Sequence, residues 1–205
     1  MITNHLWIKH PSSKIDCSEL GYPSDQGPGK GGPGTWGGGG GYGTEGGTLK
    51  RLTCIGKDGA TYGEATLQKE ICFGSGGGSG GRSGGRSEDG SEDDHEEING
   101  VNYGGSGGGI IELIIEHQLL NCGSILSNGG KGHMTGGGGG SGGSILIKLQ
   151  QCSFFPHEFG TIQCIGGNQN IFNKGGKGRI AIYGEKLQPD DIKKIDPNPF
   201  NSINI

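Results

Sequence analysis

Two uninterrupted runs of five glycines, at 37–41 and 136–140, set the terms on which this chain can fold. Glycine holds 50 of the 205 positions, against an ordinary share of about 7%. An ordered glycine loses roughly 0.5–1 kcal/mol more conformational entropy than an alanine, so ordering all of them costs on the order of 25–50 kcal/mol. Either the runs stay loose, or their bare backbones approach closely enough to exchange main-chain hydrogen bonds in sheet or polyproline-II-like geometry. The second outcome is expected. The field GPGKGGPGTWGGGGGYGTEGG at 27–47 contains two prolines and two aromatics, unlike a glycine-serine linker, and Trp36 and Tyr42 are its expected anchors.

Apolar residues make up only 29% of the chain, so a core of large side chains is thin. The net charge of -4 gives the whole chain no electrostatic reason to bind nucleic acid or an anionic membrane. The run Ile110–Ile115 is far shorter than the roughly 20 residues of a membrane span, and Met1–Lys14 lacks the apolar core of a secretory leader. Neither membrane span nor leader is therefore expected, and the compartment stays open, with extracellular or cell-surface assembly compatible. Six cysteines (Cys17, Cys54, Cys72, Cys122, Cys152, Cys164) form no CxxC pair. They read as small buried hydrophobes, or as disulfides whose pairing the spacing does not select.

Four regions follow from the changes in texture. Residues 1–26 are a mixed lead-in whose apolar patch Leu6-Trp7-Ile8 is suited to dock as an edge strand, and 27–103 a glycine-rich region with short strands and an acidic loop. Residues 104–186 are glycine-rich β-repeats, and 187–205 a C-terminal tail. Within 27–103, the β-branched and aromatic bias of 48–73 predicts short strands. In 104–186 a repeat of about 35 residues appears once the glycines are treated as punctuation. GGSGG at 104–108 recurs at 139–143, and the anchors after the glycine fields fall at Ile110, Ile145 and Ile180. Gly123-Ser124-Ile125 and Gly160-Thr161-Ile162 are matching second strands. Each copy thus reads as glycine field, strand, turn, strand. IIELII carries apolar residues on both faces, so it is expected to be covered on both sides. In the tail, a helical turn is predicted to start at Pro189, with acidic residues at its favoured end.

The predicted fold is mainly β, a β-solenoid-like stack of the 35-residue repeat with ordered glycine fields. The alternative is a β-sandwich of meandering strands with polyglycine helices packed against one face.

The text GGGGGYGTEGG, GATYGEATL, GSGGGSGG, GGGSGGSILIK, GTIQCIGG and GKGRIAIY, in that order, resembles glycine-rich repeat segments of large multidomain protist and bacterial proteins. That resemblance covers roughly residues 37–184 and implies a structural or adhesive module with no assigned chemistry. In composition, the glycine fields are also similar to the glycine-rich domain of one receptor tyrosine kinase family and to a glycine-rich antifreeze protein. This second similarity implies ordered polyglycine helices.

Motifs that could carry chemistry are weak. GxGxxG matches arise by accident in such a chain and lack the ordered strand, helix and acidic partner of a dinucleotide site. Lys30 and Lys177 are not followed by Ser or Thr in a phosphate-loop frame. The acidic run Ser87–Glu97 holds His95 and the oxygen ligands Asp89, Asp93, Asp94 and Glu96. These are the weak metal candidates, and their spacing departs from the EF-hand ladder. His117, His133 and His157 share no ligand spacing and read as surface or turn polarity. Arg82 and Arg86, without interleaved aromatics and followed by acids, make a poor nucleic-acid site.

No catalytic constellation and no cofactor are expected. The functional expectation is a non-catalytic structural module that self-assembles or scaffolds a filament, coat or matrix. Leu6, Trp7, Ile8, Phe200 and Ile203 are its expected self-association residues, and a homo-oligomer or polymer its expected form. The alternative is a recognition module for carbohydrate, ice or protein. A polysaccharide-active solenoid enzyme is the remote third reading.

Overall fold

The structure, a computed structural model, describes residues 1–47, 56–81, 102–134, 136–150, 156–168 and 173–204. Among these residues, nine strands form two wholly parallel sheets. The first takes β1 (Ile2–Ile8), β3 (Ile110–Asn121), β5 (Ser144–Leu149), β7 (Arg179–Tyr183) and β9 (Phe200–Ser202), side by side in that order. The second takes β2 (Lys14–Asp16), β4 (Ser124–Leu126), β6 (Thr161–Gln163) and β8 (Ile195–Asp196), also in order. The chain alternates between the sheets, and each strand pairs with the one two places on.

Rows of identical chemistry result. Ile111, Ile145 and Ile180 align across the first sheet, as do Leu113, Ile147 and Ile182. Ile15, Ile125, Ile162 and Ile195 align across the second. The two sets meet in one core, in which Ile115, Ile125, Ile145, Ile147, Ile162 and Ile182 are fully buried. Each such side chain contributes roughly 1.5–3 kcal/mol, a large share where large apolar residues are few. β5 is also covered on its other face. There Leu146, Ala181 and Tyr183 pack with Leu67 and Ile71, and the Tyr183 hydroxyl donates to the Thr66 carbonyl at 2.7 Å.

The strands expected after the glycine fields pair side by side, with one correction of register. Ile110 pairs with Ser144, and the true equivalent of Ile145 is Ile111. Alignment at Ile110 would turn Glu112 into the core, whereas the observed register leaves Glu112 exposed and buries Ile111, Leu113 and Ile115. Coverage on both faces accordingly belongs to β5 more than to β3. The equivalence of Ser124-Ile125 with Thr161-Ile162 holds.

The lead-in and the tail are not appendages. β1 and β2 lie within 1–26 and β8 and β9 within 187–205, so these segments form the outermost strands of both sheets. The helical turn is present as α1 (Pro189–Ile192), capped by Gln188. The strands expected in 48–73 are absent from its described part, 56–73; residues 48–55 lie outside the described residues.

Beside the sheets the glycine runs form a bundle of backbone, and the run 136–143 is its centre. The N–H groups of Gly138 and Ser141 donate to Gly78 and Ser75, those of Gly139 and Gly142 to Asn173 and Gly176, and those of Gly140 and Gly143 to Gly130 and Ser127. Every third residue therefore faces the same neighbour, the period of a helix with three residues per turn and no internal hydrogen bonds. Its carbonyls accept in the same rhythm. Gly136 and Gly139 take the N–H groups of Gly37 and Gly40, Gly138 and Ser141 those of Gly105 and Gly108, and Gly140 that of Gly167. Segments around 37–40, 75–78, 105–108, 127–130, 167 and 173–176 thus surround the run. Glycine is required here by closeness: a Cβ on Gly138 would overlap the carbonyl of Gly38, and one on Gly140 that of Ser106.

The parallel strands exclude the meanders of the sandwich alternative among the described residues, while its packed glycine helices are present beside the sheets.

Candidate functional site: sheet ends and an aromatic cluster

Because strands are added in chain order, both sheets end on the same two sides. β1 and β2 close one end, β9 and β8 the other, and among the described residues each pairs with a strand on one flank only. The outer flank of such a strand presents a row of backbone donors and acceptors, a template for further pairing.

The expected self-association residues divide between core and surface. Ile8 is buried and Leu6 packs against the core, so neither is available as a contact. Alternation along β1 turns Trp7 the other way, and it is 50% exposed. The Lys9 ammonium lies 5.0 Å from its ring centre and the His5 ring 5.8 Å away, with His117 5.4 Å beyond His5. At the opposite end Phe200 and Ile203 are exposed, Phe200 with its ring 5.7 Å from that of Tyr183. Asn201 replaces an aliphatic residue in the row Leu113, Ile147, Ile182. Its amide donates to the carbonyls of Ile182 at 3.0 Å and Glu185 at 2.8 Å, finishing the core with a polar cap.

Ion pairs mark both ends of the second sheet. Lys14 pairs with Asp16 at 2.8 Å on β2, and Lys177 pairs with Asp196 on β8. Partial burial opposes ionisation of Asp16, but hydrogen bonds from Lys14 and Ser18 outweigh it and hold the carboxyl below its ordinary range.

A second cluster joins the glycine bundle to the first sheet. The Tyr42 ring is fully buried, 4.7 Å from Tyr62, and its hydroxyl lies 2.7 Å from Ser144 Oγ at the start of β5. Ser144 in turn donates to the Cys72 carbonyl at 2.6 Å. Arg179 stands 5.4 Å from the Tyr42 ring centre and donates to the Tyr62 carbonyl at 2.7 Å. Burial pushes the Tyr42 phenol up to about 12, although its bond with Ser144 pulls the other way. Tyr62 is driven higher still, again chiefly by burial. Tyr42 is thus the anchor expected of it, whereas Trp36 is 37% exposed.

No family model, curated protein or solved structure matches the chain.

The acidic candidates Asp89, Asp93, Asp94 and Glu96 lie outside the described residues, as do His95, Arg82 and Arg86. Among the described residues no three His, Cys, Asp or Glu side chains converge as metal ligands, and no helix is long and apolar enough to cross a membrane. Cys17, Cys72, Cys122 and Cys164 are free thiols. His117, His133 and His157 stand apart in role. His157 accepts the Leu119 N–H at Nδ1, 3.1 Å away, and burial lowers its pKa below 6.5, against a smaller upward pull from Glu185. Sequence reasoning missed this imidazole as an acceptor for a strand backbone, because the pairing spans 38 positions. It also missed the cluster of Tyr42, Tyr62, Ser144 and Arg179, whose members are scattered from 42 to 179.

Proposed function

We propose that this chain is a non-catalytic structural module: a short solenoid-like stack, stiffened along one side by a glycine bundle, that assembles with further copies through its open sheet ends. The observation that carries this reading is the shared polarity of the two sheets. Both run in the same chain order, so the β8 and β9 end of one copy and the β1 and β2 end of the next are chemically different yet compatible surfaces. A contact between unlike surfaces repeats without limit unless its rotation closes a ring, and so produces a fibre or an open scaffold. The exposed rings of Trp7 at one end and Phe200 at the other supply apolar area beside the backbone edges.

Light scattering over a concentration series, with electron microscopy of the same samples, tests the proposal. The intact chain is expected to form elongated species with increasing concentration. Trp7→Lys and Ile203→Lys, which place charge at the two ends without touching the core, should each shift the onset upward by about tenfold. A monodisperse monomer at every concentration would place the recognition-module reading in front.

A further inference from the structure

Away from the sheet ends, the covering segment 56–73 and the loop at 22–28 enclose a cavity of about 290 Å³. Its walls include the rings of Tyr22, Tyr62 and Phe73, with Pro28, Glu70 and Cys72. The Tyr22 and Phe73 rings are 6.0 Å apart at 75°, so they meet as adjoining walls of a corner. Flat sugar faces stack on open platforms, whereas here the Tyr22 and Phe73 rings stand nearly at right angles. The Tyr62 hydroxyl is already committed, donating to the Phe73 carbonyl and accepting from Ser75 Oγ. Glu70 is the one charged residue among those lining the space.

Aromatic faces carry negative potential, and a carboxylate beside them adds to it, which is the arrangement that attracts a weakly hydrated organic cation. The size, just under the roughly 300–1,000 Å³ of ligand pockets for drug-sized molecules, suits a small ligand. The Arg179 guanidinium is bound to the carbonyls of Tyr62 and Gly63, which line the space, and is placed over Tyr42, which does not. The exposed Glu70 carboxylate lies beside Cys72, where it adds to the effect of burial in pushing the thiol upward.

We infer that the corner formed by Tyr22, Tyr62 and Phe73, closed by Glu70, is a binding site for a small trimethylammonium compound. The rings surround the methyl groups and Glu70 balances the charge. The site is independent of self-assembly, since none of its residues belongs to β1, β2, β8 or β9.

Choline chloride is the probe, titrated into the full chain and followed by calorimetry and by amide shifts in NMR. Its uncharged carbon isostere, 3,3-dimethyl-1-butanol, and a methyl glucoside serve as comparisons. Choline is expected to bind saturably, shifting amides of residues 22–28 and 62–73, with the isostere at least about tenfold weaker. Glu70→Gln, at an exposed side chain that can change without refolding the wall, should weaken choline binding by about three- to tenfold. Phe73→Leu should do the same at an unchanged melting temperature. Absence of saturable choline binding, equal affinity for the isostere, preference for the glucoside, or full affinity in Glu70→Gln would each overturn the assignment.

Discussion

What a missing Cβ would strike decides how each glycine behaves. At Gly138 the obstacle is the Gly38 carbonyl, a backbone atom that cannot rotate aside, whereas at Gly81 the nearest atom is Gly34 O at 3.3 Å. Gly138→Ala is therefore expected to cost on the order of 2–3 kcal/mol through forced backbone movement. Gly81→Ala should stay within about 1 kcal/mol of the wild type, because lost clearance is offset by lower entropy of the unfolded chain. Urea denaturation of the two variants compares them directly, and equal midpoints would refute close packing of the bundle. His157 supplies a pH signature. Its folded pKa lies below 6.5, so the unfolded chain binds more protons in the window just under that value. Stability associated with the neutral ring is complete above the unfolded pKa and declines as pH falls through 6.5 toward the folded value. His157→Asn, which keeps an acceptor for the Leu119 N–H without titrating there, should flatten that part of the melting-temperature profile between about pH 7.5 and 5. An unchanged slope would assign the pH dependence elsewhere.

At the level of strands, register turns on a single carboxylate. Ile111→Asp should cost several kcal/mol by placing an unpaired charge between the sheets, while Ile110→Asp, at a half-buried position paired with Ser144, should cost about 1 kcal/mol. Thermal melts of the pair decide it, and the reverse order would restore the alignment at Ile110. The glycine punctuation made the repeat legible, yet it was one residue out at β3, since Ile110 and Ile111 look alike and only the position of Glu112 tells inside from outside. The β-branched text of 56–73 misled for a different reason. Its N–H groups pair with the glycine bundle, Gly56 with Trp36, Gly59 with Gly39 and Tyr62 with Tyr42, so its apolar residues cover a sheet without joining it. By contrast, β1 was legible as an edge strand from the apolar patch Leu6-Trp7-Ile8, whereas β9 was not, because its pairing partner β7 is distant in sequence. The aromatic cavity had no local signature at all, as its walls come from two segments separated by the first glycine field.

For the whole molecule, a stack that preserved register would bring Ser202 of one copy beside Ile2 of the next, and Ile195-Asp196 beside Ile15-Asp16. Two carboxylates would then lie directly opposite, an arrangement that opposes pairing. Asp196→Asn is accordingly expected to lower the concentration at which assembly begins, and added salt to do the same for the wild type. Scattering that responds to neither would indicate a contact in another register. The glycine bundle bears on the molecule's history as well as its mechanics. Because its central run turns by a third of a circle per residue, loss of one glycine from 136–140 redirects every later N–H to a different neighbour, while loss of three restores all directions. Run length here is counted modulo three. Insertions and deletions in this lineage should therefore survive in triplets of residues, a reading frame written in the backbone itself.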